Sequence, residues 1–140
     1  MSYTIKLTND STLAVIADQS YDQVSTSVVL VGKNLNNYGE YLNNNFVGLL
    51  ENFADIVEPR SPLVGQTWFD KSEGRLKVYS TGTFKPVGGP IISNSEPAGS
   101  VKGDLWLDNL NGILKWYNGT TFVNAGKTYS DLTGQEGWEI

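Results

Sequence analysis

Two aspartates could act as a carboxylate pair. Asp70 and Asp108 lie 38 residues apart, at the same place in two similar stretches of the chain. Two carboxyl groups on either side of a glycosidic bond are the arrangement used by most glycoside hydrolases. The alternative is structural, because an Asp at the end of a strand often accepts hydrogen bonds from the backbone of the following turn. Duplication of one segment already explains the pair, so we favour the turn and expect no enzyme.

The composition removes the more usual catalytic and metal-binding groups. The chain of 140 residues contains no Cys and no His. Disulfides, thiolate metal sites and triads that depend on an imidazole base are therefore excluded. The sequence has no phosphate-binding Gly-Lys-Ser/Thr loop and no Gly-x-Ser-x-Gly nucleophile motif. We expect neither a cofactor nor a metal ion.

Aromatic side chains in the two stretches are the second candidate for a binding site. They are Trp68, Tyr79, Phe84, Trp106, Trp116, Tyr117 and Phe122. Flat aromatic rings bury much area at little cost in entropy, and they could stack on sugar rings. Small β-structures also use aromatic side chains in their own cores, so both interpretations stay open. The candidate contacts with a glycan or a partner protein are Tyr79, Trp116, Tyr117 and Trp138.

The two aspartates belong to an internal repeat. Residues 65–88 align without a gap on residues 103–126, and ten of the 24 aligned positions are identical. The identical positions include Trp, Tyr and Phe, which are uncommon enough to make chance a poor explanation. Each copy is predicted to form a three-stranded β-meander. The predicted strands are 67–70, 75–79 and 83–87 in the first copy, and 105–108, 113–117 and 121–125 in the second.

Side-chain alternation gives each predicted strand two faces. In the second strand of the first copy, Leu76 and Val78 share one face, and Lys77 and Tyr79 share the other. We predict that Trp68 joins the leucine face as the core, as does Trp106 in the second copy, which leaves Tyr79 and Tyr117 the more exposed. A meander of this size is marginal in water. The two copies must therefore pack on each other, on the N-terminal region or on another chain.

The N-terminal region is predicted to contain three strands and one helix. Alternation of apolar residues predicts strands over residues 3–8, 12–17 and 25–31. Asn36 and Asn37 are candidate caps for a helix that continues to about Ile56. Its apolar positions recur in steps of four and three residues. This face either packs on the sheet or forms a seam between the helices of an oligomer. The helix face comprises Leu42, Phe46, Leu49 and Phe53.

The segments together predict an α+β fold that is mainly β. The predicted divisions are an N-terminal unit over residues 1–58, meanders over 59–89 and 97–126, and a C-terminal tail over 127–140. The net charge is −5 and Lys and Arg do not cluster, which argues against a nucleic-acid binder. No secretory signal and no apolar run of membrane-spanning length is visible. We therefore expect a protein that is made in a cytoplasm and binds neither nucleic acid nor membrane.

Several stretches resemble structural proteins of contractile-tailed bacteriophages (myoviruses). They are residues 28–34, 38–40, 45–54, 62–70 and 76–79. In tail-fibre and tail-associated virion proteins of these phages, a similar N-terminal unit occurs with modules that carry Trp-x-Asp and Leu-x-Val-Tyr. Residues 114–122 are also similar to small carbohydrate-binding modules of chitinases. No long shaft and no large receptor-binding tip follows, which favours a connector or a short fibre.

This resemblance implies a structural protein of the virion tail, serving as a fibre, a fibre connector or a baseplate-associated component in host attachment. Such a protein would be synthesised in the host cytoplasm and would assemble as a homo-oligomer, with a trimer as the first expectation. Its partners would be other tail or fibre proteins, and a host-surface glycan is a further candidate. The alternative function is a carbohydrate-binding module that uses the aromatic residues of the repeat.

Overall fold

The computed structural model describes residues 1–126 of the chain. These residues fold into two compact units, one formed by Met1–Ser80 and one that begins at Thr81. The described part contains eleven short strands and one helix, so the predicted α+β fold that is mainly β is confirmed. Within residues 1–126, no helix is long and apolar enough to cross a membrane. The predicted tail over residues 127–140, with Trp138, lies outside the described residues.

The first unit opens with two small antiparallel strand pairs. β1 (Tyr3–Lys6) pairs with β2 (Thr12–Ile16), and β3 (Tyr21–Asp22) pairs with β4 (Leu30–Val31). The predicted strand over residues 25–31 is wrong except at its last two residues. Asp22 explains the difference, because its carboxylate accepts hydrogen bonds from the backbone N–H groups of Val24 and Ser25, both at 2.8 Å. These bonds fold residues 22–25 into a turn, and the Val28 N–H donates to the Thr26 hydroxyl at 3.2 Å, so the chain also bends within the predicted strand.

The helix α1 (Tyr38–Leu50) is shorter than predicted. It ends in a Schellman motif, in which the Phe53 N–H donates to the Gly48 carbonyl at 2.8 Å and the Asn52 N–H donates to the Leu49 carbonyl at 3.1 Å. Asn52 and Phe53 both have a φ of 54°, in the left-handed region. The predicted continuation to Ile56 is therefore wrong. Asn37 occupies the N-cap position, as predicted, but it has a φ of 62° and its side chain makes no capping hydrogen bond.

The first unit ends in a hairpin. β5 (Thr67–Asp70) pairs antiparallel with β6 (Arg75–Ser80). The segment after α1 joins this hairpin as a third chain, because Asp55 forms a parallel bridge with Asp70. The Phe69 N–H also donates to the Asn52 carbonyl at 2.9 Å. The sequence predicts a boundary after residue 58. Residues on both sides of that boundary therefore contribute to one compact unit.

The second unit contains a four-stranded sheet. The unit begins with β7 (Thr83–Pro86), and the strands of the sheet are β8 (Ile91–Ser93), β9 (Leu105–Asp108), β10 (Ile113–Tyr117) and β11 (Phe122–Asn124). The sheet order is β11-β10-β9-β8, and only β8 runs parallel to its neighbour. Residues 121–125 were predicted as the third strand, and β11 lies within them. The segment predicted as a linker supplies β8, so this sheet has one strand more than the predicted meander.

The same hydrogen bonds recur 38 residues apart. The Gly74 N–H donates to the Asp70 carbonyl at 2.8 Å, and the Gly112 N–H donates to the Asp108 carbonyl at 2.7 Å. Gly74 and Gly112 both have a φ of 66°, a left-handed value that a residue with a Cβ rarely adopts. The correspondence continues upstream of the aligned sequence. The Lys71 N–H donates to Asp55 and the Asn109 N–H donates to Ser93, each at 3.0 Å.

Candidate functional site

The carboxylates of both candidate catalytic aspartates accept hydrogen bonds from within their own hairpins. Asp70 is only 3% exposed. Its Oδ2 accepts a hydrogen bond from Lys77 Nζ at 2.8 Å, and its Oδ1 accepts from the Ser72 N–H at 2.9 Å and the Ser72 hydroxyl at 2.5 Å. Lys77 also pairs with Glu73. The carboxylate thus closes the β5–β6 turn and neutralises a largely buried lysine.

Asp108 has the same kind of surroundings in the second unit. Its Oδ2 accepts from Asn111 Nδ2 at 2.9 Å and from Lys115 Nζ at 3.2 Å. Its Oδ1 accepts from the backbone N–H groups of Leu110 and Asn111, both at 3.2 Å. The side chain is buried. This arrangement is that of a turn-closing residue, as the sequence favours. Among residues 1–126, no group of three or more Asp or Glu side chains comes together to hold a metal ion.

Hydrogen bonding decides the ionisation of these groups. Burial alone would raise the pKa of Asp70, but the hydrogen bonds from Lys77 and Ser72 hold that pKa well below its usual range. The hydrogen bond from Asn111 lowers the pKa of Asp108 against the opposing effect of burial, and Lys115 lowers it further. Burial would lower the pKa of Lys77, but its bonds to Asp70 and Glu73 outweigh burial and raise it. The aspartates are therefore ionised and the lysine is charged at neutral pH.

These shifts predict how stability depends on pH. A carboxyl group whose pKa is lower when folded adds stability that is complete above its unfolded pKa of about 4 and is lost as pH falls further. A lysine whose pKa is higher when folded adds stability that is complete below about pH 10 and is lost as pH rises further. We expect the free energy of unfolding, from urea titrations, to be level around neutrality and to decrease at both extremes. The Asp70→Asn variant should lose part of the acid dependence, and stability that increased below pH 4 would contradict the assignment.

The strand register places the tryptophans on the opposite face from the predicted one. Trp68 stands opposite Lys77, and Trp106 stands opposite Lys115. Lys77 Nζ lies 5.4 Å from the centroid of the Trp68 ring, and Lys115 Nζ lies 4.8 Å from that of Trp106. The inner face of each hairpin therefore combines a buried Trp with its lysine–aspartate pair. The prediction that the tryptophans join the leucine face is wrong.

The tyrosines of the repeat, Tyr79 and Tyr117, lie on this inner face as well. Tyr117 stands opposite Phe122, their ring centroids are 4.9 Å apart, and Phe122 meets Trp106 edge to face at 5.3 Å. Tyr79 and Tyr117 are both half-buried. Both are more exposed than the buried Trp68 and Trp106, as expected, but neither is the most exposed aromatic side chain of its copy. Trp116 takes that place in the second unit, with 36% of its surface exposed.

In the four-stranded sheet of the second unit, the face that carries the leucines is exposed to solvent. We call it the outer sheet face, and its side chains lie in register across all four strands. All of them are half-buried or exposed. Antiparallel sheets usually place polar side chains on a solvated face, so an apolar one indicates a surface that binds something. The outer sheet face consists of Ile92, Leu105, Leu107, Leu114, Trp116 and Val123.

The helix α1 also exposes apolar side chains. None of its residues is buried, so the prediction that its face packs on the sheet as core is wrong. Its contacts with the rest of the first unit include two hydrogen bonds of Asn45 and one stack of tyrosine rings. Asn45 Oδ1 accepts from the Val29 N–H at 2.9 Å while Asn45 Nδ2 donates to the Val29 carbonyl at 2.7 Å. The rings of Tyr41 and Tyr21 stack with centroids 5.1 Å apart.

Four apolar residues of α1 follow a step of four along the helix, with Leu49 beside the last of them, and Val47, which is 52% exposed, lies outside this set. Phe46 is 57% exposed and Leu50 is 81% exposed, while Leu42 is half-buried. We call the set the α1 face: Tyr38, Leu42, Phe46, Leu49 and Leu50. Of the predicted helix face, Phe53 does not belong to it, because it follows the end of the helix. Leu50 continues the step of four from Phe46.

The comparisons with known proteins identify no relative. No protein-family model matches the chain, and no curated protein and no solved structure is significantly similar to it.

Proposed function

We propose that this chain is a structural protein of a bacteriophage tail, serving as a fibre, a fibre connector or a baseplate-associated component. It works by binding copies of itself and other tail proteins, and it has no catalytic role. The observation that supports this best is the exposed α1 face. A soluble helix normally turns its apolar stripe towards a core, and this one turns much of it outward.

Burial of this surface would release enough free energy for association. Five large side chains at about half exposure present on the order of 400 Å² of apolar surface. At about 25 cal/mol per Å², covering it on one chain contributes roughly 10 kcal/mol. Association itself costs about 4–15 kcal/mol in lost freedom of motion. One such surface therefore supports an assembly whose formation depends on protein concentration. A closed trimer would add contacts and would leave none of its copies with an uncovered surface.

The placement in a phage tail comes from the resemblance of residues 28–79 to tail-fibre and tail-associated proteins. The two aspartates add support for a structural role, because both carboxylates are occupied by turns and lysines within their own hairpins. Such groups are poorly placed to exchange protons with a substrate.

The carbohydrate-binding alternative depends on Trp116, the exposed aromatic side chain of the outer sheet face. Its strand partners there are Leu105 and Val123. Sugar sites place polar groups around the aromatic ring to bind hydroxyls, and this face offers aliphatic neighbours instead. The surface suits an apolar protein partner better. A glycan array with wild type and Trp116→Ala would show whether this residue binds sugar.

Mass spectrometry of purified virions tests the proposed function. Peptides of this chain should be found in virions that contain its gene, and they should stay with the tail fraction after heads and tails are separated. The matched control is the soluble lysate of the same infection, which reports non-specific carry-over. Peptides present in the lysate and missing from virions would contradict a structural role in the tail.

A further inference from the structure

We propose that the α1 face of one copy packs on the outer sheet face of a second copy. This inference rests on the proposed function, because it names the contact through which copies assemble. A helix lying on a sheet is one of the standard two-layer arrangements of proteins. In this chain each half of such a pair is formed and exposed, the helix in the first unit and the sheet in the second.

The two surfaces match in size and character. α1 has 13 residues and is therefore about 20 Å long. The four strands of the sheet, about 4.8 Å apart, span roughly 14 Å between the outer two. The helix can thus cross all four strands. None of the residues that define the α1 face or the outer sheet face carries a charge, so no ionised side chain of either face would be buried.

Charge disfavours the alternative in which two α1 helices pack together. Residues 34–59 contain four acidic residues and no basic one. They are Glu40, Glu51, Asp55 and Glu58. A contact between two such segments would bring like charges together, whereas residues 81–126 contain three lysines and three acidic residues and are neutral. A helix placed on the sheet avoids the repulsion and covers both apolar surfaces with one kind of contact.

Such a contact is heterologous, because the two partners use different surfaces. Heterologous contacts generate closed rings when the rotation closes and open chains when it does not. One contact buries on the order of 800 Å² in total, below the roughly 1,200 Å² of a stable interface. One contact supports a weak pair whose formation depends on protein concentration, and a ring, which gives every copy two contacts, is the more stable form. A trimer is the smallest ring beyond a dimer.

A mixing experiment tests the inference. Phe46→Glu disables the α1 face, and Leu114→Glu disables the outer sheet face. Each variant alone should be monomeric in sedimentation velocity under conditions where wild type is oligomeric. The equimolar mixture should form a 1:1 complex, because one intact helix meets one intact sheet, and it should grow no larger.

Matched controls place the same charge off the two faces. Asn44 is two residues from both Leu42 and Phe46 and lies on the opposite side of α1, so Asn44→Glu places the charge away from the α1 face. Leu110→Glu changes a leucine in the β9–β10 turn that is 73% exposed. Both controls should assemble as wild type does. Leu50→Glu and Ile92→Glu serve as second variants of the two faces, in case Phe46→Glu or Leu114→Glu lacks the wild-type circular dichroism spectrum.

The outcomes separate this inference from the proposed function. A Leu114→Glu chain that still oligomerises indicates helix–helix contacts, and an oligomeric Phe46→Glu chain indicates sheet–sheet contacts. Either result overturns the inference and leaves assembly intact. A mixture that stays monomeric up to the highest attainable concentration, well above the one at which wild type oligomerises, overturns it too. A wild-type chain that is monomeric throughout overturns the inference together with the proposed assembly.

Discussion

Replacement of Trp106 by Ala is expected to lower the free energy of unfolding by about 3 kcal/mol, whereas Trp116→Ala should cost about 1 kcal/mol. Trp106 is 6% exposed and packs on Phe122. Its Nε1 donates to the Ser93 carbonyl at 3.1 Å, which ties β9 to β8. The alanine variant therefore leaves a cavity and removes one of the two hydrogen bonds to the Ser93 carbonyl, which still accepts from the Asn109 N–H. Trp116 lies on the outer sheet face, where truncation removes cross-strand contacts and leaves no enclosed cavity.

The measurement is urea unfolding followed by circular dichroism, because removal of a Trp changes the fluorescence signal itself. Dilute protein is needed, so that any contribution of Trp116 to assembly does not enter the result. Trp68→Ala should resemble Trp106→Ala, because Trp68 is the buried counterpart in the first unit. A larger loss for Trp116→Ala than for Trp106→Ala would show that the leucine face is the core.

Replacement of Asp70 by Ala should lower the free energy of unfolding by about 2 kcal/mol. The variant leaves the Ser72 N–H and hydroxyl without their acceptor and removes one of the two carboxylates that bind Lys77. The loss is smaller than that for a fully isolated buried charge, because Glu73 still pairs with the lysine. Asp70→Asn keeps an oxygen for Ser72 and should cost about 1 kcal/mol.

Glu73→Ala is the control for this pair. Its carboxylate belongs to the same lysine but is more exposed to water, so its removal should cost less than about 0.5 kcal/mol. The order of destabilisation in urea titrations should be Asp70→Ala, then Asp70→Asn, then Glu73→Ala. Equal losses for all three would show that charge alone matters and that the turn contacts of Asp70 contribute nothing.

The sequence locates the hairpin strands but leaves open which of their faces is the inner one. Alternation places Lys77 and Leu76 on opposite faces of the strand but does not show which face is buried. Residue type is misleading here, because a lysine usually lies at the surface. The length of the turn shows which residues stand opposite each other in the hairpin and therefore share a face. Four residues between Asp70 and Arg75 place those two opposite each other, and counting back pairs Trp68 with Lys77. The tryptophan, lysine and aspartate of each hairpin could have been assigned to one face on that basis.

Other features depend on partners that are distant in sequence. Ile91–Ser93 is an apolar segment within a Gly-, Pro- and Ser-rich stretch, and it becomes a strand only through parallel pairing with β9. The end of α1 depends on the left-handed conformation of Asn52. The apolar period continues past that residue to Ile56, so periodicity alone extends the helix too far. Nor does the period show which part of the apolar stripe the fold leaves exposed.

Light scattering over a concentration series tests most directly the claim that this chain works by assembly through the α1 face. For wild type we expect a molar mass that rises with concentration from 15.3 kDa towards three times that value. Phe46→Glu should remain at 15.3 kDa over the same range, and Asn44→Glu should follow wild type. A wild-type mass of 15.3 kDa at every concentration, or equal masses for wild type and Phe46→Glu, would contradict the claim.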